Sequence, residues 1–222
     1  MTTVLIADDQ AMQRFGFRML LESQDDMTVV GEATNGTEAV RLADRHRPDV
    51  VLMDVRMPGL DGIEATRRII ATGARTRVLI VTTFDQDAYA YDGLRAGASG
   101  FLVKDAQPEE LLAGVRAVAS GDAVVAPSLT RRLLDAYLHH LPPSATPPRP
   151  EQDPRLARLT TREREILTVV GQGWTNTEIA TRLHLSESTV KTHVTRILSK
   201  TGSRDRVQAV ILAYDTGLVK PA

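Results

Sequence analysis

Five side chains recur at matching places along the first half of the chain. Asp8 and Asp9 follow the apolar run Val4–Ala7, and Asp54 ends the run Val50–Asp54. Thr82 ends Val78–Thr82, and Lys104 lies just past Gly100–Val103. A cluster that offers only oxygen ligands suits Mg²⁺, which keeps several of its waters. Three carboxylates drawn together repel one another, so a cation has to compensate. Mg²⁺ and Lys104 are the candidates, and Thr82 adds a hydroxyl to the same rim. Taken singly, each residue has a plainer role. Asp8 or Asp9 would cap the following helix, Thr82 would be a β-former, and Lys104 would be a solvated surface lysine. What singles them out is that all five fall at corresponding places on successive elements.

For these side chains to meet, the runs before them must be strands that end on one rim. Candidate strands are Val4–Ala7, Thr28–Ala33, Val50–Asp54, Val78–Thr82 and Gly100–Val103, with amphipathic segments between them. In the first such segment Met12, Phe15, Gly16, Met19 and Leu20 recur at helical spacing and predict one buried stripe. In the last, Leu111, Leu112, Val115 and Val118 do the same after Pro108, a favoured first-turn residue. Met57-Pro58-Gly59 predicts a tight turn into the third helix. A β-α order repeated five times, with strands this short and apolar, predicts an α/β doubly wound parallel sheet covered on both faces. Ligands of such sheets bind beyond the carboxyl ends of the strands, where strand order reverses. If the first strand neighbours the third, the three carboxylates converge.

The 222 residues carry 27 Lys+Arg and 28 Asp+Glu, but unevenly. Residues 1–120 hold 13 basic against 18 acidic side chains, and residues 155–222 hold 11 against 6. The first imbalance suits a bound cation and the second suits nucleic acid, although ordinary charge scatter would look similar. Six of the eleven prolines fall between Pro142 and Pro154, a stretch fit for neither helix nor ladder strand. The expected organisation is therefore a domain at 1–120, a helical and Pro-rich linker at 121–154, and a second, smaller domain at 155–222. Within the linker Leu129, Leu133, Leu134, Tyr137 and Leu138 predict a helix over Ser128–Leu138. Cysteine is absent, which excludes disulfides, thiolate metal sites and a cysteine nucleophile. No apolar run approaches the ~18–20 residues of a membrane helix, and the first residues lack the pattern of a signal peptide. A cytoplasmic protein with no membrane partner is the expectation.

The rear domain reads as all helical. Thr160-Thr161-Arg162-Glu163 and Thr175-Asn176-Thr177-Glu178 both fit the T-x-x-E capping box. Ser186 is a third start signal after a short turn at His184-Leu185, which predicts a helix, a tight turn and a second helix. In that second helix Val190, Val194, Ile197 and Leu198 form the apolar side. Ser188, Thr192, Thr195, Arg196 and Ser199 face the other way, flanked by Lys191 and His193. A face of short polar and basic side chains fits the major groove of DNA. The same pattern also describes an ordinary solvated helix face.

Residues 1–120 resemble the receiver domain of two-component response regulators. The resemblance rests on Asp8-Asp9, the block Met53-Asp54-Val55-Arg56-Met57-Pro58-Gly59-Leu60-Asp61-Gly62, Thr82, Phe101 and Lys104. It implies a (βα)5 fold with its switch point between strands one and three. It also implies that Asp54 accepts a phosphoryl group from a sensor histidine kinase. Asp9, Asp54 and the Arg56 carbonyl would hold Mg²⁺ directly, and Asp8 largely through water. Lys104 would pair with phosphoryl oxygens, Thr82 would swing toward them, and Phe101 would change rotamer in step. The neighbouring Thr83 is a second hydroxyl at that point, and the family register favours Thr82. Phe101 is also readable as plain core packing.

Residues 156–219 resemble the LuxR-type helix-turn-helix, through Leu159–Leu167, Gly173–Ala180 and Ser186–Val194. Joined to a receiver, this is similar to the NarL/FixJ class of response regulators. The resemblance implies base-edge contacts from Lys191, Thr192 and Thr195, and phosphate contacts from Ser186, Thr189, His193 and Arg196. Thr195 departs from the longer basic residue frequent there. The final helix, Asp205–Thr216, would dimerise through Val207, Val210, Ile211 and Tyr214, or pack them within the domain. The expected function is a DNA-binding transcriptional regulator, switched by phosphorylation of Asp54 and homodimeric on activation. One alternative is a regulator whose receiver acts as a phosphorylation-independent dimerisation or ligand-sensing module. An aspartate-based phosphatase is the enzymatic rival, but Asp54-Val55-Arg56 lacks the second aspartate that such an acid pair would use.

Overall fold

The computed structural model describes residues 1–83, 92–121 and 153–219. The chain divides into two compact units, Met1–Val124 and Val125–Ala222. The helix expected over Ser128–Leu138, the residues between Pro142 and Asp153, and residues 84–91 lie outside the described residues.

The first unit is built on five parallel strands: β1 (Thr2–Ala7), β2 (Met27–Ala33), β3 (Val50–Met53), β4 (Arg77–Thr82) and β5 (Gly100–Val103). Their order is β2-β1-β3-β4-β5, so β1 and β3 are neighbours and the condition for convergence of the acids is met. The register pairs Ala7 with Met53 and Met53 with Ile80, which brings the strand ends level. Strand β3 stops one residue short of expectation, and the pairing still carries over: the Asp54 N–H donates to the Ala7 carbonyl at 2.8 Å. All four residues of β3 are buried, as a central parallel strand covered on both faces requires.

Helices α1 (Ala11–Glu22) and α4 (Pro108–Ser120) cover one face, and α2 (Gly36–His46) and α3 (Gly62–Ala71) lie on the other. On the first face Val4, Ile6, Leu52, Leu79 and Val81 join Leu111, Leu112, Val115 and Val118 in one cluster. Pro108 occupies the first turn of α4, as its fixed φ favours. The stripe expected on α1 is overturned. Met12, Phe15 and Met19 are exposed, and so is Gly16. The helix instead turns Leu21 into the core, with Phe17 and Leu20 packed partly against it. Helix α1 is apolar on two sides, and periodicity alone does not say which side meets the sheet.

Among its described residues the second unit consists of helices and their connections: α5 (Pro154–Ala157), α6 (Thr161–Gly171), α7 (Asn176–Leu183), α8 (Glu187–Thr201) and α9 (Arg206–Asp215). Both expected capping boxes form, Thr160 with Glu163 and Thr175 with Glu178. Ser186 caps α8 by accepting the Thr189 N–H, and His184 in the left-handed region makes the turn before it. Leu156, Ile166, Leu167, Ile179, Val190 and Ile197 are central to the core. Val210 and Tyr214 of α9 are buried in the same core and Val207 is buried too, so of the four apolar residues proposed for dimerisation only Ile211 is part-exposed.

Candidate functional site

Loops beyond the carboxyl ends of β1, β3 and β5 bring the acids and the lysine together. The Asp8 N–H donates to Ala33 at 3.1 Å, and the Lys104 N–H donates to Thr82 at 2.7 Å. Each residue is thereby fixed just past its strand. Ligand atoms of Asp8, Asp9 and Asp54 all lie within 4.8 Å of one another. Asp8 and Asp54 are buried, and Asp9 is exposed. The capping role considered for Asp8 or Asp9 does not hold: Gln10 is the residue before α1, and Asp8 Oδ1 accepts its N–H at 2.8 Å.

Lys104 is not a surface lysine. Its side chain is 4% exposed, and its Nζ lies 2.7 Å from Asp8 Oδ2 and 3.0 Å from Asp54 Oδ2. Burial works against that ammonium, but bonding to the two carboxylates outweighs it and raises the lysine above its ordinary range. Burial also pushes the Asp54 carboxyl above the usual carboxylate range, more than Lys104 draws it down. Asp54 is thus a desolvated carboxylate that Lys104 only partly compensates. An added cation at this all-oxygen cluster would relieve both the desolvation and the repulsion from Asp8.

The loop after Asp54 is held by close backbone approach. Gly59 takes a left-handed φ of 77°, which makes the expected turn. Asp61 then caps α3 by accepting the Glu64 N–H at 2.8 Å. The Gly62 N–H donates to Val55 at 2.8 Å, and a Cβ at Gly62 would collide with the Asp54 carbonyl oxygen. Arg56 lies in this loop, exposed. Thr82, at the end of β4, is buried, whereas Thr83 is exposed. Phe101 is buried on β5, where it is the register partner of Ile80.

In the second unit the expected polar face of α8 is open. Ser188, Lys191, Thr192, Thr195, Arg196 and Ser199 are exposed, as is Ser186 before them, while Thr189 and His193 are half-buried. The Thr192 and Thr195 hydroxyls donate to the Ser188 and Lys191 carbonyls at 2.9 and 3.0 Å. Each therefore offers an acceptor oxygen and a methyl outward. The opposite side is apolar, with Val190 and Ile197 buried and Val194 and Leu198 packed against the core.

Three links in this unit were not foreseen from the sequence. Arg162 donates to the Leu183 carbonyl at 3.0 Å. Lys200 reaches both oxygens of the buried Glu163. Arg206 reaches Asn176 Oδ1 and the Trp174 carbonyl. Long side chains that bind distant carbonyls and carboxylates leave no periodic trace, and the only signal available was the Glu163 of the capping box.

Comparison with known proteins agrees with this division. Residues 4–116 match the family model described as the response regulator receiver domain, and residues 157–213 match that of the bacterial regulatory proteins of the luxR family. The transcriptional regulatory protein YxjL of Bacillus subtilis is 42% identical over 98% of this chain and 97% of its own. The nitrate/nitrite response regulator NarL of Escherichia coli is 37% identical over 96% of this chain and 94% of its own. Among solved structures, the response regulator ChrA of a heme-sensing two-component system is 36% identical, with a TM-score of 0.53 and 98% of each chain covered. Among the described residues no helix is long and apolar enough to cross a membrane.

Proposed function

The chain belongs to the two-component response regulators that join a receiver domain to a LuxR-type DNA-binding domain, and on that footing we propose that Asp54 is its phosphoacceptor. The observation that carries this reading is the buried, desolvated Asp54 carboxylate of the acidic cluster, 3.0 Å from Lys104. A carboxylate oxygen of Asp54 forms the bond to phosphorus as the P–N bond of a phosphohistidine on the sensor kinase breaks, and the imidazole leaves with the electron pair. Asp9, Asp54 and the Arg56 carbonyl would hold Mg²⁺, with Asp8 acting through water. Mg²⁺ there would neutralise charge on the transferring group and orient it.

The new phosphoryl group adds roughly −1.5 to −2 charge, by analogy with other phosphorylated side chains. The Lys104 ammonium exchanges a carboxylate contact for phosphoryl oxygens, and the Thr82 hydroxyl turns toward them in a charge-assisted hydrogen bond. Phe101 repacks as Thr82 moves. The receiver occupies residues 1–120, residues 121–154 form the link, and residues 155–222 form the DNA-binding domain. Helix α8 lies in the major groove, with Lys191, Thr192 and Thr195 toward base edges and Ser186, Thr189, His193 and Arg196 toward phosphates. One such module buries limited surface, so two copies on paired half-sites provide useful affinity. The activated form is a homodimer, and a cytoplasmic location goes with this role. The protein acts as a regulator rather than an enzyme.

The test is labelling with acetyl phosphate and Mg²⁺, read by intact mass and followed by a DNA shift. Wild type should gain one phosphoryl group and bind DNA more tightly, and Asp54→Asn should do neither. Undiminished labelling of Asp54→Asn would move the acceptor elsewhere.

A further inference from the structure

The first turn of α6 holds both helices of the helix-turn-helix. Arg162 donates to the Leu183 carbonyl at the end of α7, and the next residue, Glu163, receives Lys200 from the last turn of α8. The Lys200 Nζ lies 2.8 Å from Glu163 Oε1 and 2.7 Å from Oε2. The Glu163 side chain is 4% exposed, and its Oε2 also accepts the Thr160 N–H and hydroxyl at 2.8 and 3.0 Å. One buried carboxylate therefore closes a cap and anchors a helix from another part of the unit. Burial resists its ionisation, but Lys200 and Thr160 prevail and hold it below the usual range.

Lys200 follows Lys191 and Arg196 along the same helix, so charge counting would give all three to DNA. Its position differs: it lies one turn past Arg196 and bends inward to Glu163 while the polar row ends at Ser199. We propose that Lys200 is a positioning residue for DNA recognition, held by Glu163 so that α8 keeps its angle to α7 and presents its polar face in register with the groove. This rests on the reading that α8 enters the major groove. A residue in this role contributes to discrimination between sequences without adding a phosphate contact. The Lys200 side chain is 36% exposed and that of Glu163 only 4%, so removing Lys200 leaves a buried carboxylate poorly compensated, which favours a shift of the helix over an intact geometry.

The experiment uses the full chain and two duplexes: one selected by the wild type from a random pool, and one of unrelated sequence. Lys200→Met should lose about tenfold on the selected duplex and less than about twofold on the other, a loss within reach of one charged hydrogen bond. Its dependence on salt should equal that of wild type, whereas Arg196→Ala should flatten the slope by about 0.9, as loss of one phosphate contact does. Lys200→Arg, which keeps the ion pair, should restore binding. A flattened slope for Lys200→Met would make Lys200 a phosphate contact, and unchanged binding with a lowered melting temperature would make it purely structural. Either overturns the proposal. If Lys200→Met does not fold, Glu163→Gln carries the test, because it retains an acceptor for Thr160; wild-type discrimination by that variant overturns the proposal as well. Full binding by Lys191→Ala would refute the groove reading itself, a result separate from loss with Lys191→Ala but none with Lys200→Met.

Discussion

Replacing Lys104 by methionine would test whether the acidic site is strained as its geometry implies. The ammonium lies 2.7 Å from Asp8 and 3.0 Å from Asp54. At an effective dielectric of about 20, each pair is worth about 5–6 kcal/mol in gross attraction. Much of this offsets the desolvation of three buried charges, and loss of one partner from such a group typically costs about 3–5 kcal/mol. The rim is open at Asp9, so the lower figure applies. For a unit of this size, about 3 kcal/mol lowers the melting temperature by about 12 °C. The loss should depend on pH. Burial already raises the Asp54 carboxyl, and without Lys104 it rises further. A native state that holds a proton where the unfolded chain, with a carboxyl near pKa ~3.9, does not must lose stability as pH rises through the native value. The deficit in Lys104→Met should therefore be largest at neutral and alkaline pH and shrink on mild acidification. It should also shrink with Mg²⁺, because without the competing ammonium the variant binds the cation more tightly than wild type, and each tenfold in Kd adds about 1.4 kcal/mol more to its native state. Calorimetry on wild type and variant, at two pH values with and without Mg²⁺, is the assay. A deficit that ignores both pH and Mg²⁺ would mean that only the aliphatic stem of Lys104 matters.

Other expectations follow from the same geometry. Gly62→Ala should destabilise the receiver by more than about 2 kcal/mol in denaturant titration, because its methyl meets the Asp54 carbonyl and backbone has little room to yield. Phe15→Ser should change stability by less than about 0.5 kcal/mol in the same titration, since Phe15 is exposed; a buried stripe on α1 would make the cost several-fold larger. Glu163 is held below the usual range, so its contribution is present above the unfolded value of about 4.3 and lost as pH falls through the lower native one. Acid unfolding of the DNA-binding unit should accordingly be less steep in Glu163→Gln than in wild type, measured by circular dichroism.

What the sequence made legible follows from which interactions are local. Short apolar runs ending in Asp8-Asp9, Asp54 and Thr82 predicted the strands within a residue or two, because strand burial and strand ends are written in consecutive residues. The caps at Thr160, Thr175 and Ser186 were equally plain, since a cap is a contact between residues three apart. Helix α1 shows where periodicity stops. Its two apolar sides are both regular, and only the packing of Leu21 on the sheet decides between them. The final helix shows the same limit in another form. Val207, Val210 and Tyr214 read alike as an interface or a core, and their burial within the unit settles the first three while Ile211 stays part-exposed.

The least legible features are those that join distant residues through a single atom. Only its place just past the fifth strand marked Lys104 as a cation for the three carboxylates, with no local sign of its burial, and nothing near Lys200 points to Glu163, 37 residues away. Lys104 sits just past the end of β5 and Lys200 in the last turn of α8, where a solvated role is the ordinary one. In each case a carboxylate fixed by backbone geometry draws the ammonium inward: Asp54 by its bond to Ala7, and Glu163 by the cap it makes with Thr160. The two ion pairs then serve opposite ends. On the reading proposed above the Lys104 pair is the one to be broken, since a phosphoryl group on Asp54 would compete for the same ammonium. The Lys200 pair is buried at its carboxylate, and on the same reading it would keep a fixed geometry while the receiver changes state. The proposed switch would use both kinds, because a helix that reads DNA would transmit a change in dimer population only if its own angle did not vary with it.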